Sequence, residues 1–228
     1  MSAGARSGTL EEGQVRAMFD RIAGPYDLMN SVMTAGLHHR WRERAADLAR
    51  VGPGSRALDV ATGTGDLAIE LASRGAEVVG SDFSEGMLDV ARRKAPGLVW
   101  EQGNALALPY PDASFDASTV GFGARNFSDL AQGLREMARV VRPGGRVVVL
   151  EITTPQKPPL STFFSLWFDR IVPLMGRFDE AYTYLPSSVK RFPGPEQLAQ
   201  RLAAAGCRDV RWVLTAGGII AIHSGTVA

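Results

Sequence analysis

One stretch, LDVATGTGDLA at residues 58–68, limits what this chain can fold into more than any other. A short apolar run leads into Asp59, glycines fall at Gly63 and Gly65, and a helical pattern follows. Such glycines let the backbone turn sharply and let a ligand approach the main chain. The opening of the helix offers unpaired N–H groups and a partial positive charge. Nineteen residues after Gly63, at the end of the next apolar run, stands Asp82, placed to accept hydrogen bonds from the two hydroxyls of a ribose.

The same texture continues to residue 151. RALDVA, AEVVGSD, LVWEQG, FDASTVGFG and RVVVLE read as buried strands, with helices between them. The helix after the fourth strand opens at Ser128 as N-cap and is stopped by Pro143-Gly144-Gly145. Helices alternating with continuous apolar strands indicate a parallel sheet covered on both faces, and right-handed crossovers make it doubly wound. After a helix opened by Gly194-Pro195, the runs DVRWVLT and IIAIHSG flank Ala216-Gly217-Gly218, so the sheet closes with an antiparallel hairpin. Residues 1–14 read as a flexible lead-in and 15–228 as one domain, with a helical cap at 15–52 and a less regular stretch at 152–192 read as a helical insertion on the substrate side.

Charge and composition remove several function classes. The 25 basic and 24 acidic side chains leave a net charge of +1, so no overall field draws the protein to nucleic acid. The lone Cys207 excludes an internal disulfide, and three scattered histidines give no metal site. His38 and His39 read as capping or surface groups before a helix, and His223 and Cys207 as packed residues. The N-terminus has no apolar signal core, and no stretch approaches 18 uninterrupted apolar residues, so a cytoplasmic protein is expected.

The glycine loop alone also suits a dinucleotide enzyme. Three features favour S-adenosylmethionine instead. Asp59 lies just ahead of the glycines, where a carboxylate meets an ammonium but repels a pyrophosphate. Asn104-Ala105 follows the third strand, where a side-chain amide can meet adenine. The closing antiparallel hairpin is foreign to an ordinary dinucleotide fold.

Four separated blocks then carry a more specific likeness. YDLMNSVMTAGLHHRW (26–41), GFGARN (121–126), RVVRPGGRVVVLEIT (139–153) and YTYLPSSVKRFP (182–193) resemble motifs of the menaquinone/ubiquinone biosynthesis C-methyltransferase family, within the class I S-adenosylmethionine-dependent methyltransferases. The resemblance implies an α/β fold, Rossmann-like, with a seven-stranded sheet whose last strand is antiparallel. It also implies cofactor contacts at Thr64, Asp82, Asn104 and Ala105, and a further one at Gly121, where the family's serine is absent. The implied substrate is a polyprenylated quinol: demethylmenaquinol, or in the corresponding ubiquinone step a methoxy-polyprenyl benzoquinol.

Methylating a quinol carbon requires a phenol, with a pKa of about 10, to lose its proton. Arg125 and Asn126, just past the fourth strand, are the candidates to hold a phenolate or an ordered water. On the competing reading, Arg125 pairs with a structural carboxylate and Asn126 caps the next helix. Tyr26, Tyr182 and Tyr184 are candidate quinol contacts. The segment FFSLWFDRIVPLMG could line a prenyl pocket, touch the inner face of the membrane as a peripheral contact, or form a homodimer helix.

Overall fold

The computed structural model describes residues 12–24, 26–34, 36–155 and 180–228. Three N-terminal helices, α1 (Glu12–Ile22), α2 (Tyr26–Thr34) and α3 (Leu37–Ala49), precede the sheet. Then follow β1 (Arg56–Val60), α4 (Asp66–Ala72), β2 (Glu77–Asp82), α5 (Glu85–Lys94), β3 (Val99–Gln102) and β4 (Phe115–Gly121). A 3-10 turn (Ala124–Asn126), α6 (Leu130–Arg139), β5 (Val141–Ile152), α7 (Glu180–Arg191), α8 (Pro195–Ala204), β6 (Cys207–Thr215) and β7 (Ile220–Val227) complete the described elements. The strands form one seven-stranded sheet in the order β3-β2-β1-β4-β5-β7-β6. Neighbours from β3 to β5 pair in parallel, and β7 runs antiparallel to both β5 and β6. The doubly wound sheet and the closing hairpin expected above are both present.

Both faces of the sheet are buried, which is why its strands are apolar at nearly every position. On β5, Val148 and Leu150 pack with Leu67, Leu71 and Leu88 of α4 and α5 and with Ala45 and Ala49 of α3. Their neighbours Val147 and Val149 pack on the other face with Leu134 and Met137 of α6 and Leu198 and Leu202 of α8. The site therefore sits above a core that is closed on two sides. Cys207 and His223 are buried, as expected of packed residues.

Several local expectations need correction. Asp129, not Ser128, caps α6, because its carboxylate accepts from the Gln132 N–H at 2.9 Å. The Pro143-Gly144-Gly145 segment lies inside β5; α6 has already ended at Arg139, and Val141 pairs with Phe115 across a register shift. His38 is buried within α3 rather than capping it, as the first member of a buried row with Arg42, Ala45 and Ala49. Helix α1 already begins at Glu12, inside the 1–14 stretch read as a lead-in. The FFSLWFDRIVPLMG segment lies outside the described residues, as do residues 1–11. Among the described residues no helix is long and apolar enough to cross a membrane.

One packing contact sets the geometry under the glycine loop. The Trp100 indole donates its N–H to the Ala95 carbonyl at 2.9 Å, and its ring lies flush against Gly65 and Gly80. A Cβ at either glycine would overlap that ring. Gly65, with φ of +85°, is thus required by a protein contact as well as by its turn. Gly80→Ala is expected to cost about 1–3 kcal/mol through overpacking. Urea unfolding checks this, and an unchanged midpoint would refute the wedge.

Candidate active site

Asp59 is the next-to-last residue of β1, and Asp82 closes β2 beside it. Both are almost fully buried, at 1% and 5% exposure, so each must be satisfied by nearby donors. Asp59 accepts from the hydroxyls of Thr62 and Thr119, each at 2.6 Å. Asp82 accepts from the backbone N–H of Gly63 at 2.8 Å and of Ser84 at 2.9 Å. Burial pushes both carboxyl groups up to about 6 against these hydrogen bonds. An ionised carboxylate has about four acceptor sites, so each keeps capacity for a ligand.

The loop between them is held in unusual backbone. Ala61 and Gly63 both have positive φ, of 49° and 57°, and so does Phe122 past β4, at 61°. A positive φ in a bulky aromatic residue is a strained state, and such states cluster at functional sites. A Cβ at Gly63 would meet no atom within 4 Å, so this glycine faces open space, whereas Gly65 faces Trp100. The two glycines of the loop therefore serve different ends.

A cleft of about 930 Å³, open water at its mouth included, lies over the carboxyl ends of β1, β2 and β4. Among the residues singled out in the sequence, Tyr26, Asp59, Gly63, Thr64, Asp82, Asn104, Ala105, Gly121 and Asn126 line it. Gly65 does not, nor does Tyr184, which is buried against Val15 and Met18. The Tyr182 side chain lies outside the described residues. Asn104 is exposed, and its side-chain carbonyl accepts from the Leu106 N–H at 2.9 Å, closing a small turn. The Thr64 hydroxyl donates to Asp27 of α2 at 2.5 Å.

Arg125 does not line the cleft, although its neighbour Asn126 does. Its Nη1 donates to Glu151 at 2.9 Å and also to the Phe122 carbonyl, and its backbone N–H reaches Glu151 at 3.2 Å. The competing expectation of a structural carboxylate partner is met by Glu151, at 1% exposure. Burial works against the guanidinium's charge, but Glu151, Tyr26 and Tyr184 more than offset it, so the charge is held firmly. Asn126 does not cap α6, since Asp129 does. The Arg125 Nε and the Asn126 Oδ1 are buried without a hydrogen-bond partner among the described residues. One of these atoms belongs to a cleft-lining residue, Asn126.

Of the N-terminal residues at the cleft, sequence reasoning named Tyr26 and missed Phe19 and Arg42. Phe19 and Arg42 line the cleft, and Phe83, Leu106 and Phe122 add apolar walls. Asp20 of α1 accepts from the Ser84 hydroxyl at 2.5 Å and the Gly86 N–H at 3.1 Å, fixing the start of α5. These are pairings across more than 60 residues, and no local spacing announces them. Among the described residues no group of three or more His, Cys, Asp or Glu side chains could hold a metal ion.

Solved structures with this architecture are numerous. A SAM-dependent methyltransferase from Thermotoga maritima matches with a TM-score of 0.69 at 19% identity, over 93% of this chain and 99% of its own. The [4+2]-cyclase SpnF matches with a TM-score of 0.71 at 21% identity, over 96% and 97%. At such identities the likeness establishes the fold alone. Sequence relatives go further. Demethylmenaquinone methyltransferase of Thermus thermophilus is 48% identical over 91% of this chain and 99% of its own length. The protein of the same name from Deinococcus radiodurans is 50% identical over 91% and 90%. A family model matches residues 7–227, nearly the whole chain, and with it the protein belongs to the ubiE/COQ5 methyltransferase family.

Proposed function

We propose that the protein transfers a methyl group from S-adenosylmethionine to a ring carbon of demethylmenaquinol, giving menaquinol. The observation that carries the cofactor is the pair of buried carboxylates, Asp59 and Asp82, at the ends of adjacent strands and on one cleft. The acceptor is drawn from relatives that share 48–50% identity over at least nine-tenths of both chains and bear that activity's name.

The residues fit this ligand from end to end. Asp82 takes the ribose diol with the acceptor capacity its two backbone donors leave. Phe83, Ala105 and Leu106 offer apolar surface to the faces of an adenine. Asp59 is the acceptor for the ammonium of the amino-acid tail, and the open face of Gly63 admits that tail to the backbone. Bound S-adenosylmethionine supplies an electrophilic methyl group on a sulfonium, and so needs no metal to activate it.

The protein's remaining task is to raise the nucleophilicity of a phenolic ring. Asn126, a cleft-lining residue whose Oδ1 has no partner among the described residues, accepts the phenolic O–H or orients a water that does. Arg125, the preceding residue, is a cation whose position its Glu151 partner sets. Such a charge stabilises phenolate character as the ring carbon attacks, and it needs no reorganisation during the step. Joining the ring carbon to that methyl group would release the cofactor as a neutral thioether, and the one proton given up is the ring C–H proton, lost to water as aromaticity returns. Tyr26 faces the same cleft and is a further hydrogen-bond partner for the quinol.

Incubating the purified protein with S-adenosylmethionine and a reduced demethylmenaquinone, and following the mass of the quinone, tests the reading directly. A gain of one methyl group is expected, and no gain would overturn it. Arg125→Met is expected to lower turnover by about a hundredfold while leaving cofactor affinity nearly unchanged. Steady-state kinetics and calorimetry on the same preparation separate the two effects.

Asp59 offers a test with an unusual sign. Its folded pKa, about 6, lies above its ordinary value of 3.8. The folded state therefore binds this proton more tightly, and the group's contribution to stability falls as pH rises between those values. At neutral pH the ionised Asp59 opposes folding. Asp59→Asn is expected to weaken S-adenosylmethionine binding about tenfold or more while leaving the melting temperature at or above that of the wild type. For the wild type, affinity is expected to decline as pH falls through about 6, where both carboxylates protonate.

A further inference from the structure

Strand β6 is an edge of the sheet, paired with β7 on one side and with no strand on the other among the described residues. It carries Trp212, Val213 and Leu214 in succession, at 38%, 40% and 49% exposure. Two other large apolar side chains are exposed among the described residues, Leu37 and Val99, and they stand apart in the chain. Single exposed apolar side chains are ordinary on a protein surface, whereas a contiguous run marks a contact site.

The first half of the strand is built differently. A register shift between Arg208 and Arg211 leaves Asp209, with φ of 52°, and Val210 as a bulge. Residues three apart in a regular strand point to opposite faces. The bulge instead sets Arg208 opposite Thr226 and Arg211 opposite Ser224, so the two arginines share one face. Arg146 of β5 reaches the same pair of β7 residues. Its Nη1 donates to the Thr226 hydroxyl at 2.6 Å and its Nη2 to the Ser224 hydroxyl at 3.0 Å. Its Nε approaches the Leu48 carbonyl at 3.4 Å, in the last turn of α3, which Arg50 closes. Burial and the charges of Arg50 and Arg211 push the Arg146 pKa below the ordinary arginine value, with Asp209 pulling the other way. Among the described residues no ion pair neutralises Arg50, Arg146, Arg208 or Arg211.

We infer that β6 docks on an anionic bilayer, where Arg146, Arg208 and Arg211 receive lipid phosphates and Trp212, Val213 and Leu214 enter the boundary between headgroups and acyl chains. Basic side chains beside exposed Trp and Leu are the chemistry such a surface selects. A second copy paired edge to edge fits less well. The bulge interrupts the outer row of strand hydrogen bonds, and a two-fold pairing would bring the arginines of both copies together. The placement also suits the acceptor. Strand β4, whose end leads to Asn126, lies three strands in from β6, about 14 Å at the usual spacing. A quinol head has that distance to cover, in the plane of the sheet, between the bilayer and the cleft. The surface stands on its own residues, and only its use for a prenylated acceptor rests on the methyl-transfer reading.

Co-sedimentation of the full chain with vesicles tests the surface. Vesicles of equal parts phosphatidylcholine and phosphatidylglycerol are expected to retain at least about tenfold more protein than phosphatidylcholine alone, and the excess is expected to fall as salt is raised. Arg208→Ser combined with Arg211→Ser is expected to weaken retention about tenfold or more. Leu214→Ser, on the opposite face of the strand, is expected to weaken it about threefold or more. Equal retention by the two vesicle types, or full retention by either variant, would overturn the inference. If Leu214→Ser instead dissociated a dimer in sedimentation velocity, the edge would belong to a second copy, which overturns it as well. Methylation of a short-tailed quinol in solution is expected to stay within about twofold of the wild type in both variants. Absent vesicle binding with that activity intact counts against the surface, and absence of that activity in the wild type counts against the methyl-transfer reading alone.

Discussion

Two carboxylates buried side by side, Asp59 and Asp82, are what the rest of the site is arranged around. Removing an ionised carboxylate from water is costly unless hydrogen bonds replace the lost hydration. The loop after β1 supplies those bonds from consecutive residues, the Thr62 hydroxyl to Asp59 and the Gly63 N–H to Asp82. The loop conformation and the two acids therefore depend on each other. Positive φ at Ala61 and Gly63 is the backbone's response to reaching both at once. The core on the two faces of the sheet offsets the cost, through leucines and valines that alternate along β5.

The N-terminal helices convert this loop into a closed site. Three of their ties reach the ground above the strand ends: Asp20 to Ser84 and Gly86, Asp27 to Thr64, and Arg42, which also meets His38, to Asp66. Each joins a helix of the cap to a residue at or just after a strand's carboxyl end. Asp66 is held below the usual carboxylate range because Arg42 and Lys94 outweigh the effect of its burial. Partly buried pairs of this kind are less screened than surface ones, so they fix position more than they add stability.

The frame of this molecule is legible in the residues because its causes are local. Apolar runs of five or six residues bounded by Gly and Pro mark strands, and the spacing from Gly63 to Asp82 marks one βαβ unit. Where causes are long-range, local reading misleads. His38 and His39 look alike in sequence, yet only His38 turns inward, because Arg42 and Ser31 wait for it there. Ser128 is as good an N-cap as Asp129 by type, and the choice between them depends on where the turn after β4 delivers the chain. Arg125 and Asn126 are adjacent in sequence, but the 3-10 turn sends one toward Glu151 and the other toward the cleft. Gly65 looks like a ligand-facing glycine until Trp100, thirty-five residues later, occupies its open side.

The fold itself carries little chemical information. A methyltransferase and a [4+2]-cyclase align with this chain at about the same depth, and both share roughly a fifth of its residues. What can distinguish one reaction from another must lie in the side chains around the cleft. Here Phe19, Tyr26 and Arg42 come from the cap, while Phe122 and Asn126 come from the turn after β4. Phe122 touches both groups: it packs edge-on against Trp41 at 6.3 Å and lies under Arg42. Its carbonyl also accepts from Arg125. One strained residue thus links the cofactor end of the cleft to the charge proposed to act on the quinol. A substitution that relaxed its backbone would disturb both ends together, which is a physical reason for cofactor and acceptor to be read as one unit.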